Sequence, residues 1–164
     1  MNYASLLKNV AEEVAPLVGE GRVANYIPAL ARVPKQQFGI ALCTIDGEQA
    51  AAGDAHTPFS IQSVSKVLGL ALGLQALGAS LWDRIGREPS GSAFNSLVQL
   101  ESERGKPRNP FINAGALCVA DRLLSAHADP LQAFADLGLQ LHGERFTFDD
   151  EVARSERETG FRNA

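Results

Sequence analysis

An apolar run from Val67 to Leu77, interrupted by small residues and Gln75, most constrains what this chain can fold into. A helix that is apolar all round is expected in the middle of a domain, covered on every side. The run is short and punctuated by Gly69 and Gly73, which argues against a bilayer span. That glycine pair is read as permitting close helix packing. Just upstream, Phe59 and Ile61 alternate with Ser60 and Gln62, the pattern of a half-buried extended segment. Ser63 therefore stands where an extended entry meets a buried helix. Lys66 follows three residues later, and residues three apart on a helix are surface neighbours.

Such an arrangement has a chemical use. A serine hydroxyl is a poor nucleophile until a base takes its proton. A lysine serves as that base when it is neutral, and apolar surroundings lower its pKa. The first turn of a helix also offers unpaired N–H groups to a developing oxyanion. Ser-x-x-Lys at the start of a buried helix is the arrangement of β-lactamases and penicillin-binding proteins. The bare spacing is weak evidence, because Ser5 and Lys8 repeat it inside an ordinary amphipathic helix. That first pair reads as a solvated face. The structural alternative for the second is a serine cap beside a snorkelling lysine.

Composition sets the bounds. At 164 residues, 45% hydrophobic and 21% charged, the chain suits one soluble domain with a real core. A net charge of −4 gives no reason to expect nucleic acid or an anionic membrane as partner. The N-terminal residues do not read as a signal peptide, and Cys43 and Cys118 each lie in an apolar run. Two buried free thiols in a reducing cytoplasm are expected. His56, His127 and His142 are scattered, so no metal site is expected.

In chain order, Leu6, Leu7, Val10, Val14, Leu17 and Val18 recur at helical spacing, predicting a helix that ends at Gly19. A short helical segment is predicted over 24–31, where Tyr26 near Pro28 is, on its own, more often core than ligand. A strand over 38–45 turns at Asp46-Gly47 into a return strand over 48–53. Helical spacing continues over 94–100 and 112–125, with Phe94 and Phe111 read as core. Asp129 before Pro130 predicts the start of another helix, and Asp149 or Asp150 the start of a further one. A hairpin followed by helices means α+β. Two strands alone are marginal, so the strands completing the sheet are expected to be missing and the chain to be a portion of a longer one.

Four blocks then justify a family: residues 62–66 (QSVSK), 86–91 (GREPSG), 107–116 (PRNPFINAGA) and 155–163 (SERETGFRN). With VANYIP at 23–28 and TIDG at 44–47, they resemble in order and spacing the serine-dependent glutaminases, which hydrolyse L-glutamine to L-glutamate and ammonia. The resemblance covers essentially the whole chain. It implies an incomplete β-lactamase/DD-peptidase-like fold, with 1–164 as the N-terminal portion of a single glutaminase domain and the C-terminal strands absent.

The resemblance also supplies roles. Ser63 resembles the nucleophile and Lys66 the general base, with the Ser63 N–H as one oxyanion donor. Tyr26, Gln62, Asn113, Glu156 and Asn163 match positions around the bound amino acid. The chemistry agrees, since a zwitterionic substrate needs a carboxylate such as Glu156 for its ammonium. Its carboxylate needs donors, which the Asn113 and Asn163 amides and the Tyr26 hydroxyl supply. Structural alternatives are a helix cap for Asn113 or Asn163 and a solvated face for Glu156. The family implies no cofactor, a homo-oligomer (dimer or tetramer) and a cytoplasmic location. Complete members are nearly twice as long, and their second half carries further site tyrosines and a second oxyanion donor. Little activity is therefore expected from these residues alone. The rival readings are another Ser-x-x-Lys acylase, or a fragment that only folds, associates or regulates.

Overall fold

The computed structural model describes residues 1–96 and 98–159. It divides into two compact bodies, one formed by Met1–Ser60 with the segment starting at Asp149, the other by Ile61–Phe148.

In the first body, α1 (Tyr3–Val14) is capped by Asn2, whose Oδ1 accepts from the Ser5 N–H at 3.0 Å. It gives way at Ala15–Leu17 to a 3-10 turn, short of the predicted Gly19. Pro16 lacks the N–H that an α-helix needs there. The second helix, α2 (Pro28–Ala31), is shorter than predicted because Ile27, preceding a proline, is extended. Ile27 and Leu30 are buried. Strands β1 (Gly39–Cys43) and β2 (Gln49–Gly53) pair antiparallel, with Ile40 opposite Ala52 and Leu42 opposite Ala50. These four are the half-buried face, and α1 packs on both strands. Gly47 takes φ +83° in the predicted turn, where its N–H donates to the Thr44 carbonyl. Alternation leaves Cys43 on the exposed face, contrary to expectation, while Cys118 is half-buried; both are free.

In the second body, α3 (Ser65–Leu77), α5 (Asn113–Ala126) and α6 (Pro130–His142) pack around a 3-10 segment, Gly78–Asp83. Leu72, Leu81, Ile85, Val119, Leu123 and Leu137 form the core. Val119 sits against both Gly69 and Gly73, the close approach expected of that pair. Asp129 caps α6, its Oδ1 accepting from the Gln132 N–H at 2.9 Å.

Two expectations fail here: the full cover of α3, and the core places of Phe94 and Phe111. Helix α3 is not covered on every side: its buried residues are Leu72 and Gly73, while Val67 is 56% exposed. Among the described residues, its helical neighbours cover one side of it. With the adjoining 3-10 turns, Gln62–Asp83 runs 22 residues, long and apolar enough to cross a membrane by length and composition. The core helix of a soluble protein passes the same test, and α3 contributes to the core just described. Finally, α4 is Val98–Ser102, so Phe94 precedes it in a turn. Phe94 and Phe111 are 60% and 48% exposed and are not core. Ser90-Gly91-Ser92 directly upstream favours turns over helix.

The last helix, α7 (Asp150–Thr159), belongs to the first body and packs on α2. Asp149 Oδ1 caps it by accepting from the Glu151 and Val152 N–H groups. Seven helices and one hairpin among the described residues make the fold α+β.

Candidate active site

Ser63 lies in a one-turn 3-10 segment, Gln62–Val64, that leads directly into α3. Gln62 has φ +43°, one of two described non-glycine residues with positive φ. Such backbone costs on the order of 1–3 kcal/mol and concentrates where function over-determines geometry. Ser65 Oγ donates to the Gln62 carbonyl at 2.6 Å and holds the bend. Ser63 itself is exposed, and it makes no cap: α3 has no side-chain cap hydrogen bond.

Lys66, one turn along, is half-buried. Its Nζ donates to Asn113 Oδ1 at 2.7 Å and to the Phe111 carbonyl at 3.2 Å. The Phe94 ring lies beneath it, with the centroid 5.4 Å from Nζ. No carboxylate pairs with this amine among the described residues. Burial pushes its pKa below the ordinary lysine value.

The acceptors are held by a tightly bonded loop pair. Gly86 N–H donates to the Pro107 carbonyl and Glu88 N–H to that of Arg108. Asn109 Nδ2 donates to the Glu88 carbonyl at 2.9 Å. Its Oδ1 accepts from the Phe111 and Ile112 N–H groups. The first turn of α5 then approaches so closely that a Cβ on Gly115 would lie 1.8 Å from the Asn109 carbonyl oxygen. A side chain at 115 therefore has no room. Asn113 is thus freed from capping duty: Ile112 occupies the cap position, and the Asn113 side chain turns to Lys66.

The second body therefore brings Gln62, Ser63, Lys66 and Asn113 into one neighbourhood. Tyr26 and Glu156 belong to the first body. There Tyr26 is 69% exposed, contrary to a core reading, because its neighbour Ile27 takes the buried position. Glu156 is exposed on α7. Beside it, Ser155 Oγ accepts from the Ala29 N–H at 3.1 Å, so α7 is pinned to the helix that follows Tyr26. Asn163 lies outside the described residues. Sequence reasoning missed Phe94 and Phe111 as neighbours of the amine; Phe111 sits inside the motif that carries Asn113, which was a usable signal.

A cleft of about 600 Å³ in the second body shares this wall, lined in part by Phe94, Pro110, Phe111 and Ile112. Arg87 stacks over Trp82 on another part of the same cleft, 4.9 Å from the ring centroid.

The model of the family described as Glutaminase matches residues 21–164. The chain belongs to the glutaminase family. The glutaminase of Rhizobium rhizogenes (strain K84) is 54% identical over 163 residues, covering 97% of this chain and 52% of the relative. That of Paraburkholderia phytofirmans is 52% identical, covering 99% and 54%. The chain thus spans about half the length of the curated glutaminases it matches. Among solved structures, a probable glutaminase from Bacillus subtilis complexed with 6-diazo-5-oxo-L-norleucine superposes with a TM-score of 0.82 at 35% identity, over 99% of this chain and 49% of that one. Mglu in its native form gives 0.87 at 37% identity, over 99% and 40%. The hairpin and helices therefore share the β-lactamase-like fold of the glutaminases, as the sequence resemblance implied.

Proposed function

We propose that this protein serves the hydrolysis of L-glutamine to L-glutamate and ammonia, with Ser63 as nucleophile and Lys66 as its base. The observation that carries the mechanism is the hydrogen bonding of Lys66. A neutral amine has two N–H bonds and one lone pair. Asn113 Oδ1 and the Phe111 carbonyl take both N–H bonds, which leaves the lone pair for the Ser63 hydroxyl. Burial lowers the pKa of this amine and so eases its loss of a proton, and among the described residues no carboxylate pairs with it.

The reaction then runs in two halves. Ser63 Oγ attacks the side-chain carboxamide carbon while Lys66 takes the hydroxyl proton. The oxyanion leans on the Ser63 N–H at the helix entry. Collapse breaks the C–N bond, and Lys66 returns the proton as ammonia leaves an ester on Ser63. Water, deprotonated by the same amine, hydrolyses the ester to glutamate. Gln62, Asn113, Tyr26, Glu156 and Asn163 are assigned to the amino-acid end of the substrate. The named relatives support the substrate, as does the B. subtilis neighbour's ligand, an analogue of glutamine.

The 164 residues alone are proposed to turn over slowly. They span about half of the relatives' length, and Tyr3 and Tyr26 are the chain's two tyrosines. Loss of one oxyanion donor costs on the order of a hundredfold or more. A cytoplasmic homo-oligomer remains the proposed working form.

Ammonia release from L-glutamine, measured for the chain and its Ser63→Ala variant, tests the assignment. Release that disappears with Ser63→Ala supports it. Release that persists in the variant removes Ser63 from the mechanism. Near-normal turnover by the chain would overturn the proposed slowness.

A further inference from the structure

Phe94 has no packing reason to hold its place. It is 60% exposed, lies in a turn rather than in α4, and contributes nothing to the core of its body. Yet it meets Lys66 in two ways. Its ring faces Nζ at 5.4 Å, within the roughly 6 Å range where a ring quadrupole attracts a cation. Its carbonyl accepts from the Asn113 N–H at 2.8 Å, fixing the residue whose Oδ1 accepts from Nζ.

An amine that gains a proton changes its needs. The neutral form is satisfied by its two carbonyl acceptors. The ammonium has a third N–H and a full positive charge, and among the described residues no carboxylate pairs with it. The two carbonyl acceptors serve both forms, and the ring face adds an attraction that the charged form alone feels.

We propose that Phe94 is a positioning residue for Lys66, its ring receiving the ammonium that forms when the amine takes the Ser63 proton. This rests on the assignment of Lys66 as base, but the contact itself is testable without turnover.

The test compares Phe94→Leu, which keeps apolar bulk without a ring, with Phe94→Tyr, which keeps the ring. Trace acetylation by acetic anhydride at fixed pH, mapped by mass spectrometry, reads how available each amine is as the free base. The chain has four lysines (Lys8, Lys35, Lys66 and Lys106), so three serve as internal standards. Phe94→Leu is expected to raise Lys66 labelling about two- to fivefold relative to those standards, the worth of an exposed cation–ring contact. Phe94→Tyr is expected to match the unsubstituted chain. Equal labelling in all three proteins overturns the proposal, as does Tyr behaving like Leu, which would reduce Phe94 to a spacer. Where ammonia release is measurable, the Leu variant loses kcat by a similar factor with KM unchanged. A labelling difference without Ser63-dependent release would instead sink the proposed reaction while leaving the contact established.

Discussion

The chain carries Ser-x-x-Lys twice, and the two copies have opposite surroundings. Ser5 and Lys8 lie within α1, where Lys8 Nζ is 3.8 Å from Glu12 and both side chains are mostly in water. Ser63 and Lys66 straddle the entry to α3, where Lys66 is half-buried, meets two carbonyl acceptors and a ring, and among the described residues pairs with no carboxylate. Spacing is common to both. What differs is the dielectric around the amine and the shape of the backbone before the serine. At Lys66, burial disfavours the charged form. Reactivity is a property of the pocket that receives the motif.

The largest predicted contrast is at the serines. Ser63→Ala is expected to lower ammonia release by about 10⁴-fold or more, to the level of buffer alone, since loss of a nucleophile removes the covalent route. Ser5→Ala is expected to change nothing, and a loss there comparable to that at Ser63 would erase the distinction.

The lysines come next. Lys66→Met is expected to cost about 10²–10⁴-fold, the worth of a positioned base, and Lys8→Met nothing. The pH profile carries a sign. Lys66 acts when unprotonated, so the rate rises with pH, and the midpoint lies below the ordinary lysine value because burial lowers it. The folded chain also holds that proton less tightly than the unfolded chain does. Stability therefore rises with pH between the two Lys66 values and is flat below both, as far as this group contributes. A rate that falls with rising pH over that window would exclude Lys66 as the base.

A smaller effect tests the scaffold. Gly115→Ala forces the Asn109 carbonyl away from α5, and overpacking of this kind costs about 1–3 kcal/mol. Asn109 anchors the Phe111 N–H, so Lys66 should become easier to acetylate in this variant. Urea unfolding measures the first effect and lysine labelling the second. An unchanged midpoint would mean that the loop yields freely.

Much of this was legible in the residues. The Asp46-Gly47 turn and the Asp129-Pro130 helix start depend on local chemistry, and local chemistry is printed in sequence. The motif blocks placed Ser63, Lys66 and Asn113 together because their order and spacing are specific. What stayed hidden was set by neighbours distant in the chain. The continuous apolarity of α3 says that it needs cover, but not how much of that cover these residues provide. Apolar character alone suggested that Phe94 and Phe111 were core, and Tyr26 taken by itself read more readily as core than as ligand. In each case an adjacent residue or a turn decided otherwise: Ile27 takes the buried place beside Tyr26, and Ser90-Gly91-Ser92 precedes the turn that holds Phe94. Cys43 reads as buried from composition, and strand alternation alone puts it on the open face.

The smallest prediction concerns the copy that does no chemistry. Lys8 and Glu12 form an exposed pair four residues apart, with the lysine on the N-terminal side, the less favourable order for a helix. Such pairs contribute about 0.3–0.5 kcal/mol at most, and salt screens them. Lys8→Met should therefore shift the urea midpoint barely beyond error, and that small shift should vanish at about 1 M salt. It should leave Lys66 labelling untouched, because Lys8 belongs to the first body, whereas Lys66 and its partners Asn113 and Phe94 belong to the second. A shift above 1 kcal/mol would mean that α1 leans on Lys8 in a way its exposure does not suggest.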